Sequence, residues 1–318
     1  MYEVFGDNLI EIEWFKQLHP NFNIIKSNII QKRGLNPEYI EEVILYDRPD
    51  IILVKNNKII LIIEKTREVP TGHNVGQRLA RLIRSIEIGV TSIYFFPFRA
   101  RKHGIHSDIC NVNGRIFKFI SKVWEIHNIP FIPINWISDE KGELISDGSE
   151  DNEIKETIEI LINSDFINAN QSLNKYKNKL VKQYENSISK HPAYSNPPGS
   201  VKEVETDQFL QSKGGNLNSD EIRKLNENKK SIIYTMSMSE EKCKRQDPYT
   251  GTQFIYDYLY CRTGKNKSDK KNNLILNFPN ISRNIWNEKN PNNQNTKSSN
   301  WYLIANAMSF KDGMTFLQ

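Results

Sequence analysis

Two apolar runs separated by a short polar turn mark the centre of the sequence. The runs are Ile51–Val54 and Ile59–Ile63, and residues Lys55–Lys58 separate them. Because the runs are rich in β-branched residues and the turn contains asparagine, they predict a β-hairpin. Neither run alternates between apolar and polar residues, so we expect the hairpin to be buried on both faces at the centre of a sheet.

Helical and extended segments are predicted to alternate around this hairpin. Helical spacing of apolar residues and capping residues predict the helices, and short β-branched or aromatic runs predict the strands. The predicted helices are one capped by Asp7 and ending before Pro20, one opening at Asn36-Pro37, and His73–Ile88, Arg115–His127, Ile154–Ile162, Leu173–Ile188 and Ser219–Lys229. The other predicted elements are the strands Phe22–Ile30, Thr91–Phe96, Phe131–Ile137, Ser231–Met238 and Leu274–Phe278, a basic loop at Phe98–Asn113 and a final apolar element at Trp301–Met308. Since strands joined through helices run parallel with right-handed crossovers, the pattern predicts an α/β fold in which helices cover both faces of a mixed sheet.

Changes in composition divide the chain into three predicted regions. Ser138–Glu153 is polar and acidic, which is typical of a boundary loop, and His191–Gly199 contains three prolines, which is typical of an extended linker. We therefore expect an α/β core over residues 1–140, a helical pair with a linker over 141–200, and an α+β extension over 201–318.

Charge and cysteine content narrow the cellular setting but not the activity. The net charge of +5 and the pI of about 8.8 are mildly basic and do not by themselves require a polyanionic partner. The three cysteines are scattered without a CxxC pair, which favours a reducing compartment over a disulfide framework or a zinc site. No signal peptide or membrane-spanning run is visible, so we expect a cytoplasmic protein without a membrane partner.

Two acidic residues stand at the ends of the predicted hairpin strands that meet in space. Asp50 precedes the first apolar run and Glu64 follows the second, so an antiparallel hairpin brings them side by side. Two neighbouring carboxylates at the edge of an apolar sheet repel each other and are costly to desolvate. A divalent cation is a common reason for such a pair. Glu11, on the first predicted helix, is a candidate for a further carboxylate.

Pro49-Asp50, thirteen further residues and then Glu64-Lys65 resemble the motif of the PD-(D/E)xK nuclease superfamily. The order helix, hairpin, helix, strand, helix, strand also resembles the restriction-endonuclease-like fold of that family, over roughly residues 40 to 137. The resemblance implies that Asp50 and Glu64 bind Mg²⁺, which activates a water molecule. It implies that Lys65 orients that water and helps to deprotonate it, and that Gln77 is a supporting residue close to the active site.

The spacing of Lys65 departs from the family pattern. The family has one residue between the glutamate and the lysine, whereas Lys65 follows Glu64 directly. In a regular strand Lys65 points away from Glu64, and Thr66 takes the position of the lysine. Three alternatives follow: a bulge re-aims Lys65, a basic residue such as Arg78 or Arg81 replaces it, or the site is catalytically altered.

Two segments carry candidate nucleic-acid-binding residues. Asn74, Arg78 and Arg81 lie on the helix after the hairpin, whose N-terminal end attracts phosphate, although a solvated helix face is the plainer interpretation. In the last third of the chain, basic residues alternate with aromatic residues, a pattern that suits phosphate contacts and base stacking. The basic candidates there are Lys244, Arg245 and Arg262.

These features predict an Mg²⁺-dependent endonuclease that cuts specific double-stranded DNA sites, similar to a type II restriction enzyme. A homodimer is expected because each strand of a symmetric site needs its own active site. Within the nucleases, a repair, transposon-end or RNA-directed enzyme is an alternative. The alternatives outside that class are a non-cleaving nucleic-acid-binding protein with a degraded site and an interaction protein with no nucleic-acid role.

Overall fold

The first half of the chain forms a six-stranded sheet covered by helices. The computed structural model describes residues 2–70, 75–101, 108–164, 166–190, 192, 201–213, 225, 230–236, 239–241, 243, 273–288 and 301–317. The elements of the first half are β1 (Tyr2–Gly6), α1 (Leu9–Lys16), a 3₁₀ helix (Pro20–Phe22), β2 (Lys26–Ile29), α2 (Glu38–Val43), β3 (Ile51–Lys55), β4 (Lys58–Lys65), α3 (Val75–Glu87), β5 (Thr91–Phe96), β6 (Arg99–Arg101), β7 (Ile109–Asn111), α4 (Arg115–His127) and β8 (Phe131–Asn135).

The sheet has the strand order β2-β1-β3-β4-β5-β8 and is mixed, as predicted. Strands β1, β3 and β4 are antiparallel neighbours, whereas β4, β5 and β8 are parallel and are joined through α3 and α4. The turn between β3 and β4 consists of Asn56 and Asn57, whose φ angles of 50° and 61° suit a two-residue hairpin turn. The predicted central hairpin is therefore confirmed.

Both central strands are buried on both faces, as their unbroken apolar runs predicted. All four residues of Ile51–Val54 are fully buried, and so are Leu61, Ile62 and Ile63 of β4. This burial leaves no water to solvate a charged group at the end of the hairpin, so acidic residues there need partners within the protein.

Several predicted boundaries in the N-terminal region are wrong. Asn8, not Asp7, caps α1, because its side-chain oxygen accepts a hydrogen bond from the backbone N–H of Glu11 at 3.0 Å. The predicted strand Phe22–Ile30 is shorter at its start, because Phe22 ends the 3₁₀ helix and stacks on Phe15 in the core. Strand β1 was not predicted, and the predicted basic loop contains the small hairpin of β6 and β7.

Two helices connect the halves of the chain and pack on the first sheet's helical layer. They are α5 (Asn152–Asn163) and α6 (Phe166–Lys190), so the second predicted helix is longer than its periodicity indicated. Leu173, Tyr176 and Leu180 of α6 are buried in the same hydrophobic cluster as Trp124 of α4. The helical pair therefore shares a core with the N-terminal region, and the predicted domain limits stay a prediction.

The C-terminal part adds a second mixed sheet, of five strands in the order β13-β12-β11-β10-β9. Its elements are β9 (Val201–Glu205), α7 (Thr206–Ser212), β10 (Lys230–Thr235), β11 (Asn273–Phe278), α8 (Arg283–Glu288), a 3₁₀ helix (Trp301–Ile304), β12 (Ala307–Phe310) and β13 (Gly313–Phe316). The predicted final apolar element is therefore a 3₁₀ helix followed by a hairpin. Apart from Leu225, the predicted helix Ser219–Lys229 lies outside the described residues. None of the helices in the described ranges combines the length and the apolar character needed to cross a membrane.

Candidate functional site

The hairpin brings Asp50 and Glu64 together at the end of the central strands. Ile51 of β3 is paired with Ile63 of β4, so the next pair of positions along the ladder is Asp50 and Glu64. Both side chains are buried, with 8% of Asp50 and 1% of Glu64 exposed. The predicted juxtaposition of the two carboxylates is therefore present, and it lies in a dry environment.

A buried arginine from α3 binds this pair. Nη1 of Arg81 donates to both carboxylate oxygens of Glu64, at 3.0 and 2.9 Å. Its Nη2 donates to Asp47, a third buried acidic residue that the sequence did not single out. Asp47, Asp50 and Glu64 are called the carboxylate cluster below.

The protonation of the carboxylate cluster reflects its burial. Burial raises the pKa of Glu64 to about 8, Arg81 opposes this rise, and the neighbouring Asp50 adds to it. Burial also acts to lower the pKa of Arg81, but Asp47, Glu64 and Asp50 together outweigh it and raise that pKa, so the guanidinium stays charged. Arg81 is thus a fixed cation, whereas Glu64 holds a proton more tightly than a solvated glutamate does.

Lys65 lies on the opposite face of β4 from Glu64. Its ammonium contacts Oε2 of Glu11 at 3.0 Å and lies 4.3 Å from the ring centroid of Trp14 and 5.1 Å from that of Trp136. Only its backbone N–H faces the site, where it donates to Oδ2 of Asp50 at 2.7 Å. The side chain is therefore held by α1 and is separated from the carboxylate cluster by the sheet.

No bulge turns Lys65 toward Glu64. The pairing of β4 with β5 is regular through Glu64 with Tyr94 and Lys65 with Phe95, and the register shift of the hairpin lies farther away, at Leu53 and Val54. The register of β4 therefore contradicts the alternative in which a bulge re-aims Lys65. Replacement by a basic residue of α3 and an altered site remain the two alternatives.

The residues of α3 that were predicted to bind nucleic acid have different environments. Arg78 is partly exposed, and its Nε lies 3.9 Å from Oε1 of Glu64. Arg81, in contrast, is buried by its contacts with the carboxylate cluster. The backbone of Gln77 lies in α3, but its side chain is outside the described part of the structure. The candidates Asn74, Lys244, Arg245 and Arg262 also lie outside the described residues.

Glu11 does not join the carboxylate cluster. It is on α1, and its carboxylate contacts the ammonium of Lys65 on the other face of the sheet. Because consecutive residues of a strand point to opposite faces, a group that binds Lys65 there is separated from Glu64. Asp47, and not Glu11, is the third acidic residue at this point.

Tyr94 is a second residue at the site that the sequence did not single out. It is fully buried on β5, directly beside Glu64 in the strand register. Burial raises the pKa of its phenol, Arg78 opposes this rise, and Glu64 adds to it. A side-chain hydrogen bond with Arg78 also acts on this hydroxyl. Tyr94 therefore lies between Glu64 and the partly exposed arginine of the site.

The side chains at this site fit a magnesium ion in kind. Carboxylate oxygens are the ligands that Mg²⁺ prefers, and Asp50 and Glu64 supply them at one point. Across the described ranges, however, no group of three or more His, Cys, Asp or Glu residues is arranged to hold a metal ion. Arg81 donates to both oxygens of Glu64, so a metal ion bound through either oxygen lies close to the guanidinium and competes with it.

Comparisons of the chain with protein-family models, with curated proteins and with solved structures found no match.

Proposed function

We propose that this protein is a divalent-metal-dependent nuclease of the PD-(D/E)xK type that hydrolyses phosphodiester bonds in DNA. The observation that carries the proposal is the pair Asp50 and Glu64, buried side by side at the end of the central hairpin. The family resemblance also rests on the order helix, hairpin, helix, strand, helix, strand. Along the chain these elements are α1, the central hairpin, α3, β5, α4 and β8. We extend the proposal to the restriction-endonuclease-like fold for the same reason.

In this proposal each described residue has a separate task. Mg²⁺, when bound by Asp50 and Glu64, supplies an activated water and neutralises charge on the scissile phosphate. The backbone N–H of Lys65 fixes the orientation of Asp50. Arg78, partly exposed beside Glu64, is positioned to attract the phosphate. Since arginine does not lose its proton in proteins, Arg78 and Arg81 stabilise charge and do not act as the base.

The proposed substrate is double-stranded DNA cut at specific sites, with a homodimer as the active assembly and the cytoplasm as its location. The mildly basic chain and the site's arginines suit a polyanion, and two strands of a symmetric site call for two active sites. The region over 201–318, which includes Lys244, Arg245 and Arg262, is proposed to contribute sequence recognition.

A non-cleaving nucleic-acid-binding protein is the second candidate. Two observations favour it: the ammonium of Lys65 is bound by Glu11 on the far face of the sheet, and Arg81 binds both oxygens of Glu64. In that case the carboxylate cluster is a structural ion-pair network, and phosphate contacts are made without chemistry.

Plasmid cleavage with and without Mg²⁺ separates the two candidates. The wild type is compared with Asp50→Ala and Glu64→Ala, and with Glu125→Ala as a matched control, because Glu125 is an exposed carboxylate on α4 that pairs only with Lys122 among the described residues. Metal-dependent cutting by the wild type and the control, lost in both site variants, is the expected result. A gel shift at low salt without any cutting supports the second candidate. A protein that neither cuts nor binds the plasmid contradicts both candidates.

A further inference from the structure

We propose that Asp47 is a third carboxylate ligand of the cation site and that Arg81 is the site's resident counter-cation, which a divalent ion displaces from Glu64. The inference rests on the proposed function, because it assumes that Asp50 and Glu64 bind a metal ion. It adds a ligand that the nuclease motif does not contain and gives Arg81 a task other than phosphate binding.

Two acidic side chains contact one guanidinium, and a third acts on it through its charge. Asp47 and Asp50 belong to the loop that enters β3, and Glu64 ends β4, so two chain segments deliver them to one point. Arg81 contacts Asp47 and Glu64 directly, and the charge of Asp50 also acts on it. The guanidinium therefore lies between Asp47 and Glu64, with Asp50 close enough for its charge to act on it.

The acidic and basic groups at this point are unequal in number. Three acidic groups face a single buried basic group, and Arg78, the next cation, is partly exposed and 3.9 Å away from Glu64. Excess negative charge in a buried region is unfavourable, because no water solvates it there. A divalent ion carries twice the charge of Arg81 in a smaller volume, so it neutralises the carboxylate cluster more completely.

The guanidinium of Arg81 leaves one of its own buried donors unsatisfied. Nε of Arg81 has no hydrogen-bond partner among the residues that the structure describes, although more than nine-tenths of the side chain is buried. This unsatisfied donor is available to a further oxygen ligand at the site, such as a water molecule.

Backbone hydrogen bonds also orient two of the three carboxylates. Oδ1 of Asp47 accepts a hydrogen bond from the backbone N–H of Arg48 at 2.8 Å, so Oδ2 is the oxygen that contacts Arg81. Oδ2 of Asp50 is likewise fixed by the backbone N–H of Lys65. Backbone hydrogen bonds thus hold two of the three carboxylates independently of the guanidinium, and their geometry is preorganised for an incoming cation.

The test measures Mn²⁺ binding to the full-length protein by isothermal titration calorimetry. The variants are Arg81→Met, Asp47→Asn and the double variant, with Arg84→Met as a matched control. Arg84 is also on α3, but its partners are Glu42 and Glu87 and not the carboxylate cluster. We expect Arg81→Met to bind Mn²⁺ about tenfold more tightly than the wild type and the control to bind as the wild type does. Asp47→Asn in the Arg81→Met background is expected to lose at least about tenfold in affinity.

A second variant keeps the inference falsifiable if Arg81→Met does not fold without metal. Arg81→Lys retains a positive charge but not the planar fork that binds both Glu64 oxygens, so we expect a smaller gain in Mn²⁺ affinity. For an unfolded Arg81→Met, addition of Mn²⁺ is expected to restore the circular dichroism spectrum of the wild type. If Arg81→Lys binds Mn²⁺ with the wild-type affinity, and Mn²⁺ does not restore the spectrum of Arg81→Met, the proposed displacement of Arg81 is overturned. Asp47→Asn is added to Arg81→Met, or to Arg81→Lys if only that variant folds. If this addition leaves the Mn²⁺ affinity unchanged, Asp47 is not a ligand.

Failure of the inference and failure of the proposed function are distinguishable. A wild type that binds Mn²⁺ through Glu64 but does not cut DNA contradicts the nuclease and leaves the displacement of Arg81 standing. Metal-dependent cutting together with a Mn²⁺ affinity that does not respond to Arg81 contradicts only the inference.

Discussion

Lys65 donates its backbone N–H to Oδ2 of Asp50 at 2.7 Å, while its ammonium contacts Glu11 at 3.0 Å on the other face of the sheet. One residue therefore links the carboxylate cluster to α1, with its main chain on one side and its side chain on the other. The ammonium lies over Trp14, whose ring stacks on Phe95 at 5.6 Å between centroids. The lysine to which the family resemblance gives a catalytic role is here part of the packing of α1.

The variant Lys65→Met tests this structural role. It removes the ammonium but keeps the backbone N–H that orients Asp50, so metal-dependent cutting is expected to stay within about tenfold of the wild type. The free energy of unfolding is expected to fall by about 2 kcal/mol, because a partly buried ion pair and a cation–π contact are lost. Urea denaturation and initial cleavage rates measure the two effects. A loss of cutting of several orders of magnitude at unchanged stability contradicts the account.

The raised pKa of Glu64 predicts a pH dependence of stability in the absence of metal. Between its ordinary value of 4.5 and about 8, the folded protein binds this proton more tightly than the unfolded chain does. The free energy of unfolding in EDTA is therefore expected to fall as pH rises through this window, by at most about 1.4 kcal/mol per pH unit from this group. Urea denaturation from pH 5 to pH 9 measures the slope. Glu64→Gln is expected to remove this component, and an unchanged slope in that variant contradicts the assignment.

The same proton predicts that metal affinity rises with pH. A divalent ion must displace the proton from Glu64, so Mn²⁺ affinity is expected to increase from pH 6 to about pH 8 and then level off. Calorimetric titrations at several pH values in buffers of different ionisation enthalpy also report the proton released. Affinity that is constant over this range, with no proton release, contradicts a metal site that includes Glu64.

The turn of the central hairpin predicts a backbone effect that is independent of the site. Asn57 has a φ angle of 61°, in the left-handed region that most side chains disfavour. Asn57→Ala is expected to lower the free energy of unfolding by about 1 kcal/mol, whereas Asn57→Gly, which tolerates this φ, is expected to lower it less or not at all. Equal effects of the two variants contradict the described turn.

The packing of α6 predicts cooperative unfolding with the first sheet. Leu180 is buried in the cluster that contains Trp124 of α4. Leu180→Ala is expected to lower the free energy of unfolding by about 2–4 kcal/mol and to shift the tryptophan fluorescence transition as a whole. Lys182→Ala, two residues further along α6 and on its exposed side, is a control that is expected to change little. A separate early transition of the helical pair contradicts a shared core.

The hairpin and its two carboxylates were predictable because the signal is local. An unbroken apolar run of strand length is typical of a buried strand, and a short asparagine turn forces antiparallel pairing, which determines where Asp50 and Glu64 lie. The strict alternation of side chains along a strand likewise predicted that Lys65 points away from Glu64. The parallel strands followed from the helices between them.

Arg81 was named from the sequence only as a basic residue that could replace Lys65 or bind nucleic acid. The other neighbours of Glu64 were not predictable, because they come from tertiary contacts without a sequence period. Asp47 lies in an irregular loop, where no spacing indicates which way a side chain points. Arg81 lies on a polar helix face that is typical of solvent exposure, yet it is buried by the acidic residues that it binds. Tyr94 is part of a fully buried strand, so its sequence context predicts a residue of the hydrophobic core. Its position beside Glu64 is known only once the register of β4 and β5 is known.

The most direct measurement of the central claim is the rate of Mg²⁺-dependent plasmid cleavage by the isosteric variants Asp50→Asn and Glu64→Gln. These changes keep the size of each side chain but remove the charge that a metal ion needs, and circular dichroism verifies that the variants fold. The account predicts cutting by the wild type, its loss in EDTA, and a decrease of about 10³-fold or more in each variant. Cutting at the wild-type rate by folded Glu64→Gln contradicts it.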